Sequence, residues 1–306
     1  MILLWGLHSD RPLEAVSNAV RRKGLPIVFL DQRDVLSMET ELSIGSKVRG
    51  IVRLKEQTVD LEKVTAFYLR PHDSRRLPEI LKSGEGSTNW RHAIRFEDSL
   101  LSWSELTRSL VVNRPSAMAS NGSKPYQSLR ISAHGFKTPA TLLTTSPEAA
   151  LDFWKMHENV IYKSVSGIRS IVSRLTKDHV ERFQNIANCP TQFQQYISGV
   201  DHRVHVIGNE VVASKVVSDA DDYRYASREG RKIKIEATRV PDEIEQRCRS
   251  LASDLDLTVA GVDLRKTPNG DWYCFEVNPS PGFTFYEAST GQPLAEKIAT
   301  LLANTL

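Results

Sequence analysis

The first part of the chain alternates apolar runs of strand length with a stretch of helical periodicity. The apolar run at 2–7 predicts a strand, and a second run follows at 26–30. Between them, the apolar positions of 13–20 recur at helical spacing, and Gly24 stands where a helix would end. Strand–helix–strand units of this kind build parallel sheets, so the chain is predicted to begin with one.

Further elements extend this unit to a small α/β domain over residues 1–113. Strands are predicted at 64–69 and 110–112, with a long helix at 90–106 between them. The sequence Asn-Arg-Pro at 113–115 marks the boundary to the next unit. No G-x-G-x-x-G motif follows a predicted strand, which argues against a dinucleotide-binding domain.

The remainder of the chain mixes helices with strands that pair as hairpins, as expected of α+β units. The elements predicted here are a short helix at 125–135, a strand at 159–163, a hairpin joined by Gly208-Asn209, amphipathic helices at 241–255 and 292–302, and a second hairpin within 259–278. No internal repeat is present.

The second hairpin carries the most informative pattern. Asn269-Gly270 is the strongest short hairpin signal, because a type I′ turn requires positive φ at both central residues. If these two residues form the whole loop, Asp263 lies directly opposite Glu276 on the neighbouring strand. Two facing carboxylates lie about 5 Å apart at Cβ and are destabilising unless something compensates their charge.

The same register divides the hairpin into two faces. The polar face is predicted to contain Gly261, Asp263, Arg265, Cys274, Glu276 and Asn278, with Gly261 opposite Asn278, and the apolar face to contain Val262, Leu264, Tyr273, Phe275 and Val277. Carboxylate and amide oxygens that converge on one face are ligands for a hard cation such as Mg²⁺. The alternative is the solvent-facing polar side of an amphipathic hairpin.

The segments 261–265 (Gly-Val-Asp-Leu-Arg) and 275–283 (Phe-Glu-Val-Asn-Pro-Ser-Pro-Gly-Phe) resemble the closing metal motif of ATP-grasp ligases. The resemblance is strongest to the branch that contains ribosomal protein S6 modification enzymes and glutathione synthetases. It implies an α/β (α+β) fold class: a small N-terminal parallel-sheet domain at 1–113, then an ATP-grasp fold of two α+β subdomains at 114–198 and 199–306.

The resemblance also implies a set of site residues. Two carboxylates and an amide would hold the Mg²⁺ ions (Mn²⁺ is an alternative) that bridge the phosphates of ATP, the second cofactor: Asp263, Glu276 and Asn278. The residues implied to contact ATP are Lys124 and Lys163 on the phosphates, Arg169 in the flap, Gln195, Tyr196 and Ile197 at the adenine, and Asp201 at the ribose. Arg203 would stabilise the transferring phosphoryl group, and Arg224 would bind a substrate carboxylate.

Three of the segments involved, at Lys124, at the flap after Lys163 and at residues 67–71, can also be judged from their own sequence. Lys124 lies at a predicted helix start, where backbone N–H groups favour anions, although a lysine by itself is most often a surface residue. The flap after Lys163 departs from the family, which commonly has several glycines there, whereas this chain has Gly167 and Arg169. Residues 67–71 (Phe-Tyr-Leu-Arg-Pro) resemble a stretch in ATP-grasp enzymes that macrocyclise ribosomal peptides; the alternative is a strand end with a surface arginine.

Composition bears on whether the protein binds nucleic acid or a membrane, and on the cellular compartment in which it is expected. The 40 Lys and Arg nearly balance the 37 Asp and Glu, which gives no indication of nucleic-acid binding. Basic residues cluster at 21–23, 75–76 and 228–234. The apolar runs are too short for a membrane span, and three unpaired cysteines fit a reducing compartment, so we expect a cytoplasmic protein without a membrane partner.

The expected activity is that of an ADP-forming ligase that activates a carboxylate as an acyl phosphate and joins it to an amine or hydroxyl acceptor. Three interpretations compete: a small-molecule or amino-acid ligase, a ligase or macrocyclase that forms amide or ester links in a precursor peptide, and a nucleotide-binding regulatory protein without ligase activity. The basic clusters and residues 67–71 favour a peptide. By analogy with the family, a homo-oligomer is expected.

Overall fold

The computed structural model of this protein describes residues 1–165, 172–218 and 233–305. Within these ranges the strands form four sheets. Two of the predicted site residues, Arg169 and Arg224, lie outside the described residues.

The N-terminal elements form a parallel sheet with an antiparallel insertion. In chain order they are β1 (Ile2–Gly6), α1 (Arg11–Arg22), β2 (Ile27–Asp31), β3 (Glu39–Ile44), β4 (Val48–Arg53), β5 (Thr58–Asp60), β6 (Ala66–Arg70), α2 (Pro78–Ser83), α3 (Thr88–Leu106) and β7 (Leu110–Val112). The parallel sheet has the order β2-β1-β6-β7 and confirms the predicted sheet, whereas the small sheet β3-β4-β5 was not predicted. Because β3 is largely exposed and β4 has one buried residue, their apolar alternation is weak.

The middle elements form a four-stranded antiparallel sheet covered by helices. They are α4 (Pro115–Met118), α5 (Lys124–Ala133), β8 (Thr141–Thr144), α6 (Pro147–His157), β9 (Val160–Ser164), β10 (Ser173–Arg174) and β11 (Thr191–Gln195). The sheet has the order β10-β9-β11-β8. A 3₁₀ segment at Lys177–Asn188 packs Phe183 against Phe193 of the sheet, with ring centroids 5.9 Å apart.

The C-terminal elements form the largest sheet. They are β12 (Val200–Ile207), β13 (Glu210–Ser218), β14 (Ile233–Thr238), α7 (Asp242–Asp254), β15 (Val259–Lys266), β16 (Trp272–Asn278), α8 (Thr284–Thr290) and α9 (Leu294–Ala303). The antiparallel order is β14-β13-β12-β15-β16, which makes β15 a fully paired inner strand and β16 an edge strand. Both predicted hairpins are present, and α8 was not predicted.

The N- and C-terminal sheets share one hydrophobic core. Helix α9 packs against α1, and both lie on the same side of the parallel sheet, where Ile298 and Leu302 join Leu4 and Val16. The same core includes Ile207 of β12. The C-terminal helix therefore fixes the parallel domain against the sheet that carries the hairpin, while the exact domain boundaries stay a prediction.

Candidate active site

The structure confirms the predicted cross-strand pairs at the polar end of the second hairpin. Asp263 is paired with Glu276, and Gly261 with Asn278. The loop, however, is longer than predicted: the Thr267 N–H donates to the carbonyl of Asp271 at 2.9 Å, which leaves three residues between them. A register shift after Asp263 compensates for the extra residue, so that the carboxylates still face each other. β-bulges of this kind are common beside functional sites.

The bulge changes which side chains lie on each face. Cys274 is paired with Leu264 and is buried in the apolar core, so its predicted place on the polar face is wrong. Burial raises the pKa of the Cys274 thiol well above its usual value, because the thiolate would be poorly solvated. Phe275, predicted to be in the core, instead lies 5.2 Å from the guanidinium of Arg265 on the polar side.

Arg203 of the neighbouring strand compensates the Asp263 carboxylate. Arg203 is the cross-strand partner of Asp263, and its Nη1 donates to Asp263 Oδ1 at 2.6 Å. The side chain of Arg203 is only 6% exposed, whereas that of Asp263 is 26% exposed. The arginine is therefore buried beneath the carboxylate, which faces the solvent. Gly261 makes this possible, because a Cβ atom there would overlap the guanidinium of Arg203.

Lys124 compensates the Glu276 carboxylate. It is the first residue of α5, as predicted, and its Nζ donates to Glu276 Oε1. Ser123 caps the helix by accepting from the Tyr126 N–H, and Pro125 fits the first turn. The helix start therefore brings a cation onto the second carboxylate of the pair.

Polar groups from α5 and the following segment cover the edge of β16. The buried amide of Gln127 donates to the carbonyl of Val277 at 2.7 Å and accepts from its N–H at 3.2 Å. Further along the edge, the Lys137 carbonyl accepts from the Cys274 N–H at 2.9 Å. These bonds satisfy an otherwise open strand edge and fix Glu276 and Asn278 on either side of Val277.

Arg265 connects the predicted nucleotide residues to the hairpin. Its guanidinium binds both carboxylate oxygens of Asp201, at 2.6 and 2.9 Å, and donates to the carbonyl of Ile197 at 2.8 Å. It also lies 5.8 Å from the ring centroid of Tyr196. Arg265 therefore neutralises Asp201, and the facing carboxylates are neutralised by Arg203 and Lys124.

The remaining predicted residues lie on the middle sheet. Gln195 ends β11, where its N–H donates to the carbonyl of Ala140 at 2.9 Å. Lys163 lies on β9 beside Gln192 of β11. The structure therefore joins Asp263, Glu276, Asn278, Arg203 and Lys124 in one cluster and Ile197, Asp201 and Tyr196 around Arg265, with Lys163 and Gln195 on the adjoining sheet.

The oxygen donors of the cluster fit a hard cation. Two carboxylates and the amide of Asn278 share one end of the hairpin, and an amide oxygen that accepts one bond, here from the Ser280 N–H at 2.9 Å, keeps a second lone pair. Across the described ranges no group of three or more His, Cys, Asp and Glu side chains is arranged to hold a metal ion. Two carboxylates and an amide suit Mg²⁺, which keeps waters and shares its sphere with phosphates.

Comparison with known families identifies this architecture. The model of the RimK-like ATP-grasp domain matches residues 122–302. The chain belongs to the RimK-like ATP-grasp family. Membership places it among the ATP-grasp ligases, which bind ATP, and confirms the resemblance seen in the hairpin.

Known proteins resemble this chain in sequence or in fold. The ribosomal protein bS6–L-glutamate ligase of Salmonella paratyphi B is 29% identical over 244 residues, which cover 74% of this chain and 78% of the relative. The macrocyclase MdnC of Microcystis aeruginosa, bound with precursor peptide MdnA, has the same fold, with a TM-score of 0.81 at 20% identity over 99% of both chains. A Chryseobacterium gregarium RiPP-associated ATP-grasp ligase, in complex with ADP and a leader and core peptide, has a TM-score of 0.83 at 21% identity and covers 100% and 97% of the two chains.

In this ATP-grasp chain, Arg70 links the N-terminal sheet to the loop after the hairpin. Its Nε donates to Asp10 at 2.9 Å, and its Nη1 donates to Ser280 Oγ at 2.7 Å and to the carbonyl of Pro281 at 3.3 Å. The side chains of Arg70 and Asp10 are only 11% and 13% exposed. The predicted alternative of a surface arginine is therefore wrong, and Arg70 instead positions the loop that follows Asn278.

Asn113 fixes both ends of the ATP-grasp hairpin and was assigned from sequence only to a domain boundary. Its Nδ2 donates to the carbonyls of Val259 and Pro279, both at 2.6 Å. Its Oδ1 accepts from the N–H groups of Thr258 and Val259 at 2.8 and 3.1 Å. Nothing in a single sequence distinguishes this buried amide from a loop asparagine, because all four partners are backbone groups more than 140 residues away.

Replacing Asn113 by Ala should lower the free energy of unfolding by about 3 kcal/mol, because it leaves four backbone groups without their side-chain partner. Urea unfolding followed by circular dichroism measures this change. Asn188→Ala, at an exposed position, is the matched control and should change stability by no more than about 0.5 kcal/mol. Equal stability of the two variants would contradict the role assigned to Asn113.

His205 lies beneath Arg203 and is buried without a hydrogen-bond partner for either ring nitrogen among the described residues. It lies on the same face of β12 as Arg203, opposite Gly261, and its ring meets that of Tyr286 edge-on at 5.2 Å between centroids. Burial, and secondarily the charge of Arg203, lowers the pKa of His205 well below its usual value. His205 therefore packs as a neutral ring under the arginine.

This environment predicts a pH-dependent stability. Because the folded-state pKa is lowered, the unfolded chain binds a proton below about pH 6.5 that the folded chain does not, so stability falls as the pH falls. A single such group contributes a slope of up to about 1.4 kcal/mol per pH unit. Between pH 7.0 and 5.5, the free energy of unfolding measured with urea should fall by about 1 kcal/mol less in His205→Phe than in the parent. The exposed His72→Gln should retain the parental slope, and an unchanged slope in His205→Phe would contradict the prediction.

Proposed function

We propose that this protein is an ATP- and Mg²⁺-dependent ligase that converts a carboxylate to an acyl phosphate, releases ADP, and joins the acyl group to an acceptor on a peptide. The observation that carries the proposal is the pairing of Asp263 with Glu276 across the hairpin, each with its own cation, in a chain of the RimK-like ATP-grasp family. Oxygen donors and nearby cations on one surface match the needs of a bound metal–triphosphate.

In this proposal each side chain has one task. Asp263, Glu276 and Asn278 would hold Mg²⁺, which would neutralise charge on the phosphates of ATP. Arg203 and Lys124, which contact these carboxylates in the structure, would contact the phosphoryl oxygens of bound ATP, because ionised side chains with several N–H donors suit such acceptors. Little covalent chemistry is required from the protein, since positioning and charge stabilisation supply most of the catalysis of phosphoryl transfer.

The nucleotide is proposed to lie between the middle and C-terminal sheets. The backbone at Gln195, Tyr196 and Ile197 would contact the adenine, Asp201 the ribose, and Lys163 and Arg169 the phosphates. Arg265 supports this segment by holding the Ile197 carbonyl and Asp201 together. Arg224 is proposed to bind the substrate carboxylate.

Two acceptors are supported by different observations. The named relative at 29% identity ligates glutamate to a ribosomal protein, which favours addition of an amino acid to a peptide chain. The macrocyclase bound to its precursor peptide covers 99% of both chains, which favours amide or ester closure within a precursor peptide. In both cases the substrate is a peptide, and the reaction consumes a carboxylate and ATP.

The test is the release of ADP by the purified protein with Mg²⁺ and ATP, first with glutamate and a C-terminal peptide acceptor, then with candidate precursor peptides. Mass spectrometry distinguishes the products: a gain of one glutamate residue supports the first acceptor, and loss of one water supports macrocyclisation. AMP as the nucleotide product, or tight ATP binding without turnover in any mixture of carboxylate and amine, would contradict the proposal. The latter result would favour a regulatory nucleotide-binding protein.

A further inference from the structure

A second concavity lies on the opposite face of the C-terminal sheet from Asp263. Its volume is about 470 Å³, and its lining includes Val200, His202, Lys215, Arg239, Lys266 and Trp272. His202 and Arg203 are neighbours on β12, so their side chains point to opposite faces of the sheet. We name this feature the cationic cavity.

The charge of the cationic cavity is of one sign. Lys215, Arg239 and Lys266 line it, and no carboxylate does. Burial first, and then the charges of Lys215 and Lys266, lower the pKa of His202, so the ring is neutral and the positive charge comes from the lysines and the arginine. Glu236, the cross-strand partner of Lys215, lies outside the lining and bonds Lys234 Nζ at 2.5 Å. The acids of the first turn of α7 lie outside the lining.

Within the described residues, the three cations of the cavity lack the ion pairs that some other surface cations form. Arg53, Lys137 and Arg22 each form an ion pair with an acidic side chain, at 2.5 to 2.7 Å. Within the part of the chain that the structure describes, Lys215, Arg239 and Lys266 form none. Grouped cations around a concavity create a local positive potential that attracts anions.

The floor of the cationic cavity is aromatic and apolar. The Trp272 ring lies 4.9 Å from the His202 ring, edge-on, and 5.8 Å from Lys266 Nζ. Val200 is 37% exposed at the rim. This mixture suits a ligand with short apolar stems and anionic heads, which describes glutamate and aspartate side chains better than a bare inorganic anion.

We propose that the cationic cavity binds an acidic segment of the peptide substrate, away from the carboxylate that reacts. The proposal rests on the peptide substrate of the proposed function and adds the class of sequence that the enzyme selects. Val200 lies three residues before Arg203, which is about 10 Å along the strand. The cavity and Arg203 are therefore close enough for different segments of one peptide to reach both.

The test measures binding without turnover, so its result does not depend on whether ligation occurs. The probe is fluorescein-labelled hexaglutamate, followed by anisotropy at low salt, with hexaglutamine as the neutral comparison. Replacing Lys215 and Lys266 together by Ser should weaken hexaglutamate binding about fivefold, as expected for the loss of two partly exposed charge pairs. Replacing both by Arg should retain binding, and Lys82→Ser, at an exposed lysine of α2, should leave it unchanged.

Three results would overturn the proposal. The first is that the Ser double variant binds hexaglutamate as tightly as the parent does. The second is that hexaglutamine binds the parent as tightly as hexaglutamate does. The third is that inorganic phosphate displaces the probe at concentrations below the Kd of hexaglutamate, which would identify a phosphate site. Circular dichroism of the double variant excludes unfolding as the cause of any loss. Failure of ATP turnover in the parent would contradict the proposed function and not this site.

Discussion

Replacing Asp263 by Asn, or Glu276 by Gln, should abolish ADP release, with a loss of about 10³-fold or more, while the fold remains intact. Each change removes one negative charge and keeps the shape of the side chain. Without that charge the hairpin no longer compensates a divalent cation, and electrostatic stabilisation of this kind typically supplies the largest share of catalysis. The measurements are ADP release under ligation conditions and the Mg²⁺ dependence of ATP binding by calorimetry.

The matched control is Asp271→Asn on the same hairpin. Asp271 lies next to the tip, where its carboxylate pairs with Lys137 at 2.7 Å, away from Glu276. This variant should retain nearly full activity and nearly full stability. Retained turnover in both the Asp263 and Glu276 variants would remove the basis of the proposed metal site.

Gly261→Ala should have the second-largest effect, at a position with no charge or polar group of its own. Gly261 does not have positive φ, so the backbone accepts alanine, but the new Cβ would occupy the space of the Arg203 guanidinium. Arg203 must then move away from Asp263. We expect kcat to fall about 100-fold, the effect of losing one preorganised donor. The midpoint of thermal unfolding should fall by only a few degrees, because the displaced group is the end of a flexible side chain.

Gly45→Ala controls for the general effect of removing a glycine. It lies at the β3–β4 turn, and a Cβ there would have no atom within 4 Å. This variant should match the parent in kcat. If Gly261→Ala also matches the parent, Arg203 is not held in place by the missing side chain, and its assignment to the transferring phosphoryl group loses its structural support.

Much of the fold follows from local patterns. The first strand–helix–strand unit, α3, α7 and both hairpins are readable because apolar positions recur at 2 or 3.6 residues and are bounded by Gly, Pro or Asn. The β3–β5 sheet and α8 lack this signal: β3 is mostly exposed, and Tyr286 is the one buried residue of α8. Their positions are set by contacts with distant elements.

The candidate site shows the same division. The facing pair of Asp263 and Glu276 follows from strand alternation and a turn signal, although the loop is longer and a bulge restores the register. The partners of these carboxylates could not be derived in this way. Arg203 reaches Asp263 across a different strand pair, and Lys124 reaches Glu276 from more than 150 residues away. Such contacts depend on how sheets and helices assemble, which local periodicity does not encode.

The most direct test of the metal site is a crystal structure of the protein with Mn²⁺ and a non-hydrolysable ATP analogue, analysed by anomalous scattering from manganese. We predict anomalous peaks within about 2.5 Å of carboxylate oxygens of both Asp263 and Glu276, with the triphosphate on the far side of the metal. Arg203 and Lys124 should then contact phosphate oxygens. Manganese bound elsewhere, with both carboxylates still paired to Arg203 and Lys124 in the presence of the nucleotide, would contradict this prediction.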